Sequence, residues 1–475
     1  MNKVKLFVEN FIIYGLGGII SKIIPLVMVP IVTRIMPSPA YFGINDLSST
    51  IVSFAGALAI MGMYDAMYRM FFEEDGEDYK KRVCSTALSF TLGTAFTVFL
   101  LMLVMRGQIA ECFFKDAKLS YLVDIAATAT LISAANAIIA APTRMQNKRR
   151  IYLAANTIGP LISYGLAILL LLRGYYMTAL PLAGLLSGIS VALAFFLLNR
   201  KWFDFHLIDK KLLRQLLIIG VPLLPNFLIY WVFNSSDKLM INGFIGAGAV
   251  GVYAVGSKLG HASQLIYMAF AGGWQYFAFS TMREKNQVRS NTLVFEYLGV
   301  LSFIATAFIC AWSCWIYEIL FIGKYVEGYI IAPYLFLAPL LLMLFQIAGN
   351  QFAVIKRTWP IMFVLSGGAA LNIVLNLVLI PRIGIEGAAI ATLLGYLVSD
   401  IITVIVLQKM RLMDIDVRFI FLSIVLFFYF IVWRLFASES TFTGTILAIV
   451  FTAISLLTYR KDFSRLLKRH GSREA

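Results

Sequence analysis

Four basic residues lie inside otherwise apolar stretches of the chain: Lys22, Arg69, Lys238 and Lys258. A cation at the centre of a membrane helix costs roughly 2.5–3.5 kcal/mol on insertion scales. A chain that keeps several of them needs a pairing partner or an anionic ligand for each. Lys22 shares a helical face with Gly15, Gly18, Pro25 and Val29, because residues three and four apart line one side. Glycine and proline on that face expose backbone to whatever the lysine meets. Lys258 and His261 are three apart with Gln264 beside them, a grouping suited to an anion or to a proton-sensitive site. Asp65 and Arg69 are four apart and can pair with each other; an ion pair at the membrane boundary explains them as well as ligand binding does. Asp237 and Lys238 are adjacent, so they point to different faces, and a lysine near a span end can snorkel. Asn226 follows Pro222 and Pro225, where a broken helix would open backbone to a central site.

The elements that carry these residues must be membrane helices. The chain has 475 residues, 60% of them hydrophobic and 14% charged, with a mean hydropathy of +0.84. A span needs about 20 apolar residues, and only helices or closed barrels satisfy every backbone polar group in lipid. The apolar runs predict about fourteen spans, at 11–34, 42–68, 83–105, 119–143, 151–172, 175–198, 213–240, 248–280, 293–321, 328–354, 360–380, 385–408, 417–436 and 441–459. The first run shows no small-residue cleavage site and continues into a second span, as a membrane anchor does rather than a signal peptide. Cys84, Cys112, Cys310 and Cys314 are expected to be free thiols, with no metal site.

The net charge of +15 would suggest nucleic acid in a soluble protein, but here its distribution gives a better account. With the N-terminus placed in the cytoplasm, 28 of the 40 lysines and arginines fall in inner segments and eight in outer ones, the other four being the intramembrane residues. That asymmetry predicts both termini inside and an even number of spans.

The two halves resemble each other. Pro37-Ser-Pro-Ala-Tyr-Phe-Gly43-Ile-Asn-Asp46 has a counterpart in Gly246-Ala-Gly-Ala-Val-Gly251-Val-Tyr253, with the glycines 208 apart. Leu172-Arg173-Gly174 has one in Pro381-Arg382-Ile383, with the arginines 209 apart. Two near-equal offsets predict a duplicated six-helix unit. The expected organisation is a lobe at 1–198, a cytoplasmic linker at 199–212, a second lobe at 213–410, and two appended helices with a basic tail at 411–475. Two parallel repeats would be pseudo-symmetric about an axis along the membrane normal, with cargo between the lobes.

No catalytic motif emerges. Gly15-Leu-Gly17-Gly18 opens a membrane span rather than a strand-to-helix turn, and no loop is large enough to house a glycosyltransferase site. Asp124, Glu296, Glu318 and Asp400 are further intramembrane acids able to carry a coupling ion. Tyr64, Tyr68, Tyr230, Trp231, Tyr253, Trp274 and Tyr276 could stack on sugars, although interfacial belts use the same residues.

Several stretches together resemble the polysaccharide-transporter branch of the multidrug/oligosaccharidyl-lipid/polysaccharide exporter superfamily. They are Arg34 to Gly43, Gly62 to Phe72, Gly220-Val-Pro-Leu-Leu-Pro225, Asn234-Ser-Ser-Asp237-Lys238, Gly251-Val-Tyr-Ala-Val255, and Asn372 to Asn376 leading into Leu379 to Gly387. The resemblance implies a Wzx-type flippase of the bacterial inner membrane, working by alternating access of two six-helix lobes. Its implied cargo is a polyprenyl-diphosphate-linked oligosaccharide, with a polysaccharide polymerase and glycosyltransferases as partners in the pathway. Family members carry cationic cavity residues that meet the diphosphate; Lys22, Arg69 and Lys258 are the matching candidates, with Asp65, Asn226, Asp237, Lys238, His261 and Gln264 secondary. No cofactor is implied, and coupling to H+ or Na+ is left open. Fourteen spans rather than twelve bring the chain closer to the lipid II flippase branch. A drug/cation antiporter would use Asp65 and Asp237 instead, and a membrane glycosyltransferase or polymerase is disfavoured by the small loops.

Overall fold

The computed structural model describes residues 23–268, 270, 274, 286–355, 357 and 359–460. Among the described residues there is no strand, and eleven helices are long and apolar enough to cross a membrane. One of them, Trp359–Lys409, is two spans: Ile383 (φ −129°) and Gly384 (φ 66°) break it. There the chain folds back so tightly that a Cβ on Gly387 would lie 2.7 Å from the Leu379 carbonyl. Ile23–Ile35 is the described part of the first span, and the eighth begins with Ala247–Gly260 and runs on through the 3-10 turn His261–Ser263. The fold is thus all-α and integral to a membrane, with fourteen expected spans represented.

The boundaries follow local chemistry. The second span starts at Pro39, where a missing N–H costs nothing in the first turn, and the Ser38 hydroxyl accepts from the Ala40 N–H. Expected as one helix over 42–68, this span is two, Pro39–Ile60 and Met63–Phe71. The hydroxyls of Ser48 and Thr130 bond their own helix four residues back, to the Ile44 and Ala126 carbonyls, so these two bury without an unmet polar group. The turns before the sixth and twelfth spans both use a glycine with positive φ, Gly174 (φ 86°) and Gly384 (φ 66°).

The chain divides into two compact units, residues 1–255 with 373–388, and 256–372 with 389–475. In the first, the second and eighth spans cross backbone to backbone. A Cβ on Gly43 would lie 1.9 Å from the Ala247 carbonyl oxygen, and one on Gly251 would lie 2.0 Å from the Pro39 carbonyl oxygen. Each glycine meets the residue four before the other, the reciprocal pattern of a two-fold contact. These are the same glycines that the repeat aligns.

In the second unit the two C-terminal spans are fastened to the ninth, Gln287–Leu320. Trp433 Nε1 donates to the Cys310 carbonyl at 2.8 Å, and the Tyr429 hydroxyl to that of Ala307 at 2.9 Å. Gly444 lies against Ala311, where a Cβ would be 2.8 Å from Cα. At the other end Glu296 accepts from the Asp416 N–H at 2.7 Å and the Tyr459 hydroxyl at 3.0 Å. Asp416 caps the thirteenth span and accepts from the Arg418 guanidinium at 2.8 Å; those bonds hold its carboxyl below the usual carboxylate range.

The glycine crossing makes a measurable demand. Gly43→Ala and Gly251→Ala each force backbone apart and are expected to destabilise by more than about 3 kcal/mol, the upper end for overpacking. Gly93→Ala meets open space and should stabilise by roughly 0.5–1 kcal/mol through helix propensity. Thermal unfolding of the detergent-solubilised protein checks this; equal midpoints for all three variants would contradict the crossing.

Candidate functional site

The site is set by two bent helices in the first unit. The second span halts at Ile60, and Met61 (φ 49°) and Gly62 (φ 69°) both take left-handed conformations before Met63 restarts it. Gly62 is required twice over: its φ suits glycine, and a Cβ there would lie 2.3 Å from the Gly220 carbonyl oxygen. Gly220 ends the first helical piece of the seventh span, Lys210–Gly220. Beyond it come a 3-10 turn over Val221–Leu223, a helix over Leu224–Trp231, a π-turn over Val232–Ser236 and a last helix over Asp237–Phe244. Pro222 and Pro225 sit at the starts of two of these pieces, so the interruption expected from the prolines is present. A π-turn inside a helix often marks a functional position.

These bends open a cavity of about 850 Å3, walled by the second, fourth, sixth and seventh spans. Its polar wall includes serine hydroxyls and the side chains of Tyr64, Asp65, Asn136, Tyr230, Trp231 and Asn234. Trp231 donates from Nε1 to the Ser53 hydroxyl at 3.1 Å and packs on Phe54 with ring centroids 4.8 Å apart. Asn234 Nδ2 is tied to the Tyr230 carbonyl at 2.7 Å. Tyr64 accepts from the Arg144 guanidinium at 3.1 Å. The Asn136 Oδ1 acceptor is buried without a partner among the described residues, an acceptor that a bound donor would satisfy. Among the described residues Asp65 is the one carboxylate in this wall, and no lysine or arginine lines it. Hydroxyls, amides and aromatic faces around a chamber of this size can hold a short, hydroxyl-rich molecule.

The residues singled out from sequence are distributed as follows. Lys22 and Tyr276 lie outside the described residues. Asp65 reaches the cavity together with Tyr64, Tyr230 and Trp231. Arg69 is exposed one turn further along the short helix Met63–Phe71. The pair that Asp65 and Arg69 could have formed is absent among the described residues: no ion pair joins them. Such an i,i+4 pair is worth only about 0.3–0.5 kcal/mol, too little to dictate either rotamer. Asn226 is half-buried in Leu224–Trp231 but is not part of the cavity wall. Lys258, His261 and Gln264 belong to the second unit, half-buried on neighbouring turns of the eighth span.

Asp237 and Lys238 prove to be a packed network. Lys238 Nζ is 2.7 Å from Asp46 Oδ2, and the two side chains are 16% and 9% exposed. The Tyr253 hydroxyl donates to Asp237 Oδ2. Lys238 therefore does not snorkel: it is held by Asp46, a residue sequence reasoning passed over although it ends the Gly43-Ile-Asn-Asp46 stretch. Next to it, Asn45 ties the second span to the turn before the sixth, bonding the Tyr176 carbonyl at 3.0 Å and the Leu180 N–H at 3.2 Å. Among the other acids, Asp124 pairs with Arg106 at 3.2 Å, Glu318 accepts from Cys314 Sγ at 3.6 Å, and neither Asp400 oxygen has a hydrogen-bond partner among the described residues.

Removing one member of a buried ion pair strands the other charge, at roughly 3–5 kcal/mol. Asp46→Asn and Lys238→Met should each lower the unfolding midpoint strongly, while the double variant should be more stable than either single one. Additive losses in thermal unfolding would show that the two side chains do not depend on each other.

A family model described as polysaccharide biosynthesis protein matches residues 7–282. Among curated proteins, the chain is 27% identical over 207 residues to an uncharacterized membrane protein of Methanocaldococcus jannaschii, covering 42% of this chain and 41% of that relative. The match thus spans less than half of the relative's length. Among solved structures, the fold is similar to that of the lipid II flippase MurJ in an inward closed conformation, with a TM-score of 0.70, 15% identity, and 95% of this chain and 100% of that one covered. A multidrug resistance MATE family transporter of the MOP superfamily, inward-facing, gives 0.63 at 14% identity over 82% and 94%. A MOP superfamily transporter from Pyrococcus furiosus, described as having a binding pocket of reverse polarity, gives 0.62 at 15% identity over 86% and 95%. With more than half of its length matched, the chain belongs to the polysaccharide biosynthesis protein family and has the fold of the MOP superfamily transporters.

Proposed function

We propose that the protein is a flippase that carries a polyprenyl-diphosphate-linked oligosaccharide from the cytoplasmic to the outer leaflet of the bacterial cytoplasmic membrane, for synthesis of a surface polysaccharide. The observation that carries the proposal is the cavity of about 850 Å3 with hydroxyl, amide and aromatic walls, in a chain of the polysaccharide biosynthesis family. A chamber of that chemistry suits a glycan, whereas a prenyl tail is at home in lipid. The protein then acts as a carrier rather than an enzyme, with a polymerase and glycosyltransferases working before and after it.

The mechanism is alternating access between the lobes 1–198 and 213–410, joined by 199–212, with 411–475 appended. Parallel six-helix repeats place cargo at such a junction. Both termini are cytoplasmic, in keeping with the 28 to eight division of basic residues. The diphosphate is held by cations, for which Lys22, Arg69 and Lys258 remain the candidates. Asn226, His261 and Gln264 are secondary polar contacts. Asp65 is a further secondary candidate, as are Asp237 and Lys238, whose side chains are held by Tyr253 and Asp46.

A lipid II flippase is the second reading, favoured by the similarity to MurJ over 95% of this chain. Complementation of peptidoglycan synthesis separates the two.

A charge-assisted contact to phosphate is worth about 1.5–3 kcal/mol. The double variant Lys22→Ala with Lys258→Ala should therefore lose at least about tenfold in surface-polysaccharide export, at equal protein level in the membrane. Export at the wild-type rate would remove these lysines from the mechanism.

A further inference from the structure

We infer that the cavity of the first unit is a charge filter for the glycan: it admits uncharged sugars, and Asp65 turns away acidic ones. This rests on the flippase reading and names the class of substrate. Three observations lead there. The wall offers many neutral hydrogen-bonding groups, and Asn136 Oδ1 stands buried without a donor. A sugar hydroxyl or the N–H of an acetamido group would supply one. Trp231 is fixed by its bond to Ser53 and by Phe54, giving a rigid aromatic face. Among the described residues the only charged side chain in the wall is Asp65, which no ion pair occupies there.

Arg144 stands behind this wall: its guanidinium donates to the Tyr64 hydroxyl, lies 5.9 Å from the Tyr152 ring centroid and attracts the Asp65 carboxylate electrostatically. It is not in the wall. A uronic or other carboxylate-bearing sugar entering the chamber would meet Asp65 with no cation among the described wall residues to compensate. Like charges brought together in a confined site are a repulsive element, and specificity often rests on such an element rather than on extra attraction. The size of the chamber sets a second limit: small-molecule sites run from about 300 to 1,000 Å3, so the filter reads a short glycan and not a finished polymer.

The test uses the full chain in proteoliposomes with two synthetic short-chain polyprenyl diphosphates. One bears an uncharged N-acetylhexosamine disaccharide, and the other has a hexuronic acid as its outer sugar. Wild type should move the uncharged lipid at least about tenfold faster, a difference of about 1.4 kcal/mol. Asp65→Asn should bring the two rates to within about twofold, and Asp65→Lys should reverse the order. Equal wild-type rates, or a preference that survives Asp65→Asn, would overturn the filter. If Asp65→Lys fails to fold, the asparagine variant decides.

Movement of neither lipid by wild type would count against the flippase reading. The cavity is then judged alone, by tryptophan fluorescence of the solubilised protein. A change on adding the free uncharged disaccharide, smaller for the acidic one and lost in Trp231→Phe, sustains the filter. No change, or equal changes for both sugars, overturns it.

Discussion

The first compact unit is organised around a place where no side chain fits. The second and eighth spans touch through Gly43 and Gly251, each pressed against a carbonyl of the opposite helix. In lipid there is no hydrophobic drive to bring helices together, so close backbone packing at small residues must do much of that work. Once the two backbones are in contact, the side chains on neighbouring turns are brought within reach. Asp46, three residues beyond Gly43, meets Lys238, and Tyr253, two beyond Gly251, meets Asp237. One ion pair and one hydroxyl-to-carboxylate hydrogen bond then tie the second and eighth spans to the seventh. The reciprocity of the contact is what a duplicated unit would produce.

The cavity depends on a second close approach, that of Gly62 to Gly220. Both helices break there, one through two left-handed residues and the other through prolines and a π-turn. A straight span would run its side chains past one another and fill the space. Broken spans instead turn Tyr64, Asp65, Tyr230 and Trp231 toward a common chamber. Among the described residues the wall chemistry is almost neutral, made of hydroxyls, amides and aromatic faces.

The sequence made the membrane helices legible because lipid leaves a chain few alternatives, and the apolar runs record that constraint directly. The interruption of the seventh span was legible for the same kind of reason, since proline cannot sit in mid-helix without consequence. The break in the second span was not: Met61 carries no mark of its left-handed conformation, and Gly62 is one of 34 glycines. Asp46 was passed over because its partner is 192 residues away, and charge pairing at that distance leaves no local pattern. Asp65 and Arg69 show the opposite error, a local spacing that allows a pair which the fold does not use. The aromatic residues were too common to sort by sequence; the cavity selects Tyr64, Tyr230 and Trp231 from that set, while Tyr253 is spent on Asp237.

The central claim is that this chain moves a lipid-linked sugar across a bilayer. The most direct measurement loads a short-chain polyprenyl diphosphate disaccharide into the inner leaflet of sealed vesicles containing the purified protein. A membrane-impermeant glycosidase outside then reports arrival in the outer leaflet. The account predicts time-dependent cleavage of the inner-leaflet pool, at a rate proportional to the protein present. Cleavage no faster than in protein-free vesicles, with the lipid and the enzyme shown to be active, would contradict it.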